Sequence, residues 1–201
     1  MGERLGSRVI GDCPRADEPL PSVLLHWDMT RTLRDYLRQK RASMRASALH
    51  RPRGEDWREA VSATCIADDE TGVRKMRMRD WQFIGDSGPA FGGWGLGPSS
   101  PELLCGVIST CLTHTYLIGA AWLDIPIDRV EVRVTAENND AGFLDIESGD
   151  PDLPFAITAH VELAAEAATA AQVARLHAYA SERCPITRLV RRANELTIVV
   201  A

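Results

Sequence analysis

The sequence predicts an α+β protein with a mainly antiparallel β-sheet built around one long apolar helix. Three observations carry this. Residues 103–123 form an almost wholly apolar run of helical length. Segments with period-two alternation stand on both sides of it. The resulting order (strands, apolar helix, strands, helix, strand) is that of an α+β fold rather than a parallel α/β sheet.

The elements follow in chain order. Residues 1–28 are rich in Pro, Asp and Gly and read as an irregular arm with a short apolar patch at Val23–Leu25. Residues 30–49 read as a helix, with Thr30 as N-cap and Leu33, Leu37 and Met44 on its apolar stripe. Arg51-Pro52-Arg53-Gly54 ends it. Trp57–Ala67 and Val73–Ile84 alternate on either side of a turn at Asp68–Gly72, which predicts a β-hairpin with room for a third short strand. Residues 86–98 form a glycine-rich loop.

Ser100-Pro101-Glu102 then opens the apolar helix. Ser100 suits the N-cap, Pro101 the first helical position and Glu102 the positive end of the helix dipole. The run is long enough to cross a bilayer. It carries Ser109, Thr110, Thr113, His114 and Thr115 in its middle, however, and it stops at Asp124 without basic flanks. It is therefore read as a helix buried at the centre of the fold, with no membrane as partner. Ile127–Ala136 predicts a half-buried strand, Asn138–Gly142 a turn, Phe143–Ile146 a short strand and residues 155–163 another. Residues 168–183 predict a helix with Val173, Leu176 and Ala180 on one face, followed directly by Cys184-Pro185. Glu195–Ala201 predicts a closing strand. The chain thus divides into an N-terminal arm and basic helix (1–56) and a main domain (57–201). One small sheet cannot cover an apolar helix on all sides, so a homodimer built around that helix is expected.

Composition narrows the function. A net charge of −5 argues against a general nucleic-acid binder. Eight basic residues between Arg31 and Arg53, with Asp35 the sole acid among them, form a local exception. They read as a solvated helix face, with a patch for nucleic acid, an anionic membrane or an acidic partner as the alternative. The five cysteines (Cys13, Cys65, Cys105, Cys111, Cys184) are odd in number and include no Cys-x-x-Cys pair, so no zinc site is indicated. The opening residues lack an apolar signal region, and a reducing cytoplasm is the expected location. Cys111 and His114 stand three residues apart and could share a metal, but no further ligand cluster accompanies them, and His114 reads as a core histidine. No metal and no cofactor are expected. Cys65 and Cys105 read as packing residues. Taken alone, Cys111 reads as a small buried hydrophobe, whereas Cys184 at a helix end is a candidate for exposure.

Gly97–Cys111, in which Pro101 and Glu102 open a long helix carrying a cysteine, resembles a signature of the OsmC/Ohr family. Asp86 followed by Gly92-Gly93 and Gly97-Pro98 resembles that family's preceding loop, Ile127–Val134 its following strand, and Ala180–Ile186 a second signature in which a helix ends in Cys-Pro. The resemblance covers residues 57–201. It implies an OsmC-like fold, an intertwined homodimer, and a thiol-dependent peroxidase that reduces organic hydroperoxides in antioxidant defence. It further implies that Cys111 is the peroxidatic thiol and Cys184 the resolving thiol, reset by an external dithiol reductant. The family holds an Arg beside the thiol through a Glu. Glu102 is the candidate Glu, and Arg79 the preferred Arg over Arg77 and Arg74. Glu102 lies one residue nearer the cysteine than in the hydroperoxide-resistance branch, and the basic N-terminal region is additional. A non-enzymatic binding or redox-sensor protein, holding an apolar ligand or a reversible disulfide, is the alternative.

Overall fold

The computed structural model describes residues 31–50 and 57–192. The N-terminal arm, the Thr30 cap and the expected strand at 195–201 lie outside the described residues.

Helix α1 (Leu33–His50) starts where Thr32 and Asp35 exchange hydrogen bonds. The Thr32 N–H donates to Asp35 Oδ2 at 2.8 Å, and the Asp35 N–H donates to Thr32 Oγ1 at 3.3 Å. This satisfies donors that the first helical turn leaves open. Leu37 of the expected stripe is buried in the core, with Leu33 and Met44 packed against it.

Strands β1 (Thr64–Ala67), β2 (Arg74–Met78) and β3 (Trp81–Gly85) form an antiparallel sheet in that order. Two expectations change here. The strand foreseen over 57–67 begins only at Thr64, which pairs with Arg77. β2 ends at Met78, and among the described residues no strand is assigned before Thr64. The run from Val73 to Ile84 is two strands, because the chain reverses at Arg79-Asp80 with Met78 paired to Trp81. Arg79 takes φ 54°, a left-handed conformation usually given to Gly or Asn in such turns.

Helix α2 (Ser100–Leu123) is capped by Ser99, one residue earlier than expected. Ser99 and Glu102 form a capping box: Ser99 N–H donates to Glu102 Oε2 at 2.7 Å, and Glu102 N–H returns to Ser99 Oγ at 3.4 Å. α2 packs against α1, the strand that follows it and the two later helices. It is not covered all round, since Val107 and Trp122 are exposed within the protomer.

Strands β4 (Arg129–Glu137) and β5 (Phe155–Ala164) form a second antiparallel sheet. Val130, Val132, Val161 and Leu163 pack against the core on one face. The short strand expected at 143–146 is instead a 3-10 turn over Ala141–Leu144. Asn139 explains it: its Oδ1 accepts the Ala141 N–H at 3.0 Å, and its Nδ2 donates to Ser148 Oγ and the Asp150 carbonyl. Side-chain bonds thus replace a ladder.

Helix α3 (Ala170–Arg183) is capped by Thr169 and Gln172 as a second capping box. It ends at Cys184, and a short helix that the sequence did not announce, α4 (Pro185–Val190), starts at Pro185. The core gathers Leu37, Leu112, Tyr116, Ala120, Ile125, Ile127, Leu176 and Ala180. Gly119 lets α2 and α3 approach closely: a Cβ there would lie 2.7 Å from Tyr179 Cδ1.

Candidate functional site: a pair of free thiols

Cys111 lies in the middle of α2, and Cys184 at the junction of α3 and α4. Their sulfurs are 3.6 Å apart, and both thiols are free. The sequence expectations about exposure are reversed. Cys184 is 0% exposed, packed into the core, while Cys111 keeps a partly accessible surface. The reason is local: Pro185 restarts a helix at once, and the bend turns the Cys184 side chain inward toward α2.

The two thiols also differ in acidity. Burial pushes the Cys111 thiol above its ordinary pKa, and Cys184 adds to the rise, while the Ile186 backbone N–H works against it. Burial acts on Cys184 in the same direction, yet its thiol ends below the ordinary value. The Thr187 hydroxyl and backbone N–H outweigh burial there, assisted by Cys111 and Thr115. Thr187 Oγ1 also donates to the Cys184 carbonyl at 3.1 Å, and Thr115 Oγ1 to the Cys111 carbonyl at 2.8 Å. Neither threonine stood out in the sequence. A Thr three residues after the Cys of a Cys-Pro step is the signal that could have found Thr187.

The other expected site residues are placed elsewhere. Glu102 spends its carboxylate on Ser99, whose backbone N–H and hydroxyl hold its pKa below the usual value. Nine residues of α-helix put it about 13 Å along the axis from Cys111 and about half a turn round. Arg79 was expected on a strand and sits instead in the β2–β3 turn, exposed, with its carbonyl taking a bond from Arg77 Nε at 2.8 Å. Of the three candidate arginines, Arg74 is the one that shares a cleft with Glu102. That cleft, of about 1210 Å³, is also lined by Asp86, Phe91, Cys105 and Phe143. Arg74 donates to the Asp86 carbonyl at 2.6 Å. The Asp86 carboxylate is buried and accepts the backbone N–H groups of Ser87, Trp94 and Leu96 at 2.7, 3.0 and 3.0 Å, which folds the glycine-rich loop around it. Cys65, expected to pack, is exposed on β1, whereas Cys105 is partly buried.

His114 is not the core histidine expected. It is largely exposed at the α1–α2 seam, with Lys40 Nζ 3.1 Å from its Nε2, and partial desolvation of the ring, followed by the Lys40 charge, lowers its pKa. The basic stretch is partly consumed internally: Arg34 pairs with Asp128 at 2.6 Å, Arg41 with Asp124, and Arg38 with Asp35.

The sequence model of OsmC-like proteins matches residues 92–199, a span that includes both cysteines. The chain belongs to the OsmC family. Solved structures with the same fold include an OsmC-like protein from Mycoplasma pneumoniae, with 16% identity and a TM-score of 0.54, covering 66% of this chain and 88% of that one. An organic hydroperoxide resistance protein OsmC from Legionella pneumophila shows 14% identity and a TM-score of 0.50 over 68% and 92% of the two chains. An OsmC-like protein of unknown function from Vibrio cholerae gives 12%, 0.50, 66% and 94%. No curated protein sequence matches. The α+β architecture with antiparallel sheets is that of the OsmC-like structures. The family includes proteins of organic hydroperoxide resistance.

Proposed function

We propose that this OsmC-family protein is a thiol-dependent peroxidase that reduces organic hydroperoxides to alcohols. The observation that carries the reading is the pair of free sulfurs 3.6 Å apart, one reachable and one enclosed. The Cys111 thiolate attacks the terminal peroxide oxygen, the O–O bond breaks, and the alkoxide leaves and takes a proton to become the alcohol. Cys111 is then a sulfenic acid. The Cys184 thiolate attacks its sulfur, the S–O bond breaks, hydroxide leaves and takes a proton to become water, and a disulfide forms. An external dithiol returns two electrons and resets the pair. This sequence needs no cofactor.

The low pKa of Cys184 suits the resolving role, because the resolving thiol must attack as its thiolate. Glu102 acts on this reading through the geometry of α2, by fixing its first turn. Arg74, in the cleft beside Glu102, replaces Arg79 as the arginine of interest. Apolar side chains left open on β3 and α2 (Trp81, Phe83, Ile84, Val107, Trp122) support a homodimer in which a second copy covers them.

The test is intact mass and non-reducing peptide mapping of reduced protein after one equivalent of cumene hydroperoxide, together with consumption of the peroxide under a dithiol. A Cys111–Cys184 disulfide and turnover, both lost in Cys111→Ser, are expected. Unchanged peroxide consumption in Cys111→Ser would overturn the assignment. The raised Cys111 pKa favours a second reading, a slow redox sensor, which predicts the same disulfide without steady turnover.

A further inference from the structure

The two sulfurs differ in what can reach them, and this sets the direction of the reductive half of the cycle. Cys184 has no accessible surface and stands within the cluster of Leu112, Ile127, Leu176 and Ala180. Cys111 lies at the edge of that cluster, partly open. Thiol–disulfide exchange needs the incoming sulfur, the attacked sulfur and the leaving sulfur nearly in line. For attack on Cys184, a reductant would have to enter the packed core between α2 and α3. For attack on Cys111, the partly open surface of that residue offers an approach.

We propose that the Cys111–Cys184 disulfide is opened from one side only: an incoming thiolate bonds to Cys111 Sγ, and Cys184 leaves. The inference rests on the pair being a redox couple, as proposed above. In the first step the reductant's thiolate forms a bond to Cys111 Sγ. The S–S bond breaks and its electron pair departs on Cys184 Sγ. In the second step the reductant's other thiolate attacks its own sulfur in the mixed disulfide, and Cys111 Sγ is released. The reductant ends as its disulfide, and its two protons and two electrons end on the cysteines. The environment of the leaving sulfur favours the same polarity. The Thr187 hydroxyl and N–H stabilise a thiolate at Cys184, and a more acidic thiol leaves faster. Access and leaving-group chemistry therefore agree, and the covalent intermediate with the reductant is carried on Cys111.

The experiment uses the full chain, oxidised with diamide so that no hydroperoxide is needed. Glutathione is added, the reaction is quenched in acid at short times, free thiols are alkylated, and peptides are mapped. At least about tenfold more glutathione on Cys111 than on Cys184 is expected. As a second measurement, Cys111→Ser and Cys184→Ser are treated with glutathione disulfide, since formation and release of a mixed disulfide share one transition state. Labelling of Cys111 at least about tenfold faster than labelling of Cys184 is expected, although Cys184 is the more acidic thiol. Labelling of Cys184 as fast as Cys111 in this second measurement, or an even or reversed split of adduct in the first, would overturn the proposal. Absence of peroxide turnover alongside the expected split would count against the peroxidase reading alone.

Discussion

Closing the Cys111–Cys184 bond would join positions 73 residues apart in the chain, and stability should register it. In the chain-entropy description, a loop of that size removes conformational freedom from the unfolded state worth about 4 kcal/mol at 25 °C. The folded state gives some of this back. The sulfurs must move from 3.6 Å to about 2.05 Å, which takes small side-chain rotations and a slight shift of the α3–α4 junction. A net gain of about 2–4 kcal/mol for the oxidised protein follows. With a urea m-value of about 2 kcal/mol/M, this is a rise in unfolding midpoint of about 1–2 M. The assay is urea unfolding followed by tryptophan fluorescence, with matched protein concentration, for diamide-oxidised and fully reduced samples. Peptide mapping verifies the bond, and Cys111→Ser serves as the control in which oxidation has no effect. A mapped Cys111–Cys184 disulfide that leaves the midpoint unchanged or lowers it would show that the native geometry does not accommodate the bond. The placement of Cys184 against α2 would then be wrong.

Three other perturbations test separate parts of the structure. Gly119→Ala should destabilise by about 1–2 kcal/mol in thermal melts, because overpacking against Tyr179 and Leu176 costs about 1–3 kcal/mol and the helix-propensity gain returns at most about 1. The Asp86 carboxyl is held below its ordinary pKa, first by the Leu96 and Ser87 backbone N–H groups, so its contribution to stability is present above the unfolded aspartate value and is lost as pH falls through the folded one. Asp86→Asn should lower stability at neutral pH and flatten the loss below about pH 4, measured as urea midpoints across an acid series. Because burial raises the Cys111 pKa, the rate of sulfenic acid formation should keep climbing above about pH 8.5, read by stopped-flow under pseudo-first-order peroxide. A plateau by neutrality would contradict the environment described for that thiol.

The apolar run of α2, the two alternating segments that became β4 and β5, and the α3 helix were legible because each repeats one period over many residues. The break between β2 and β3 was not, because Arg79 takes a left-handed turn position without Gly or Asn to mark it. The missing strand at 143–146 has the same origin: Asn139 decides the local backbone through its side chain, and no periodicity reports that. At the site, pairing Cys111 with Cys184 followed from resemblance, and the structure places their sulfurs together. Their relative burial and acidity could not be read from the chain. Both depend on where α4 begins and on Thr187, which acts across a helix junction rather than along a pattern. Glu102 was legible as a cap, and its carboxylate is used for that.

Helix α1 lies outside residues 92–199, the segment matched by the family, yet it contributes Leu37 to the same core as Leu112, Tyr116 and Ala120. Its arginines also reach Asp124 and Asp128, on either side of the turn that leads from α2 into β4. The edge of recognisable kinship and the edge of the cooperative unit are therefore different places in this chain. A fragment trimmed to the family segment would carry an uncovered apolar flank on its central helix. Its instability or aggregation would report on a missing wall of the protein rather than on any weakness of the family segment.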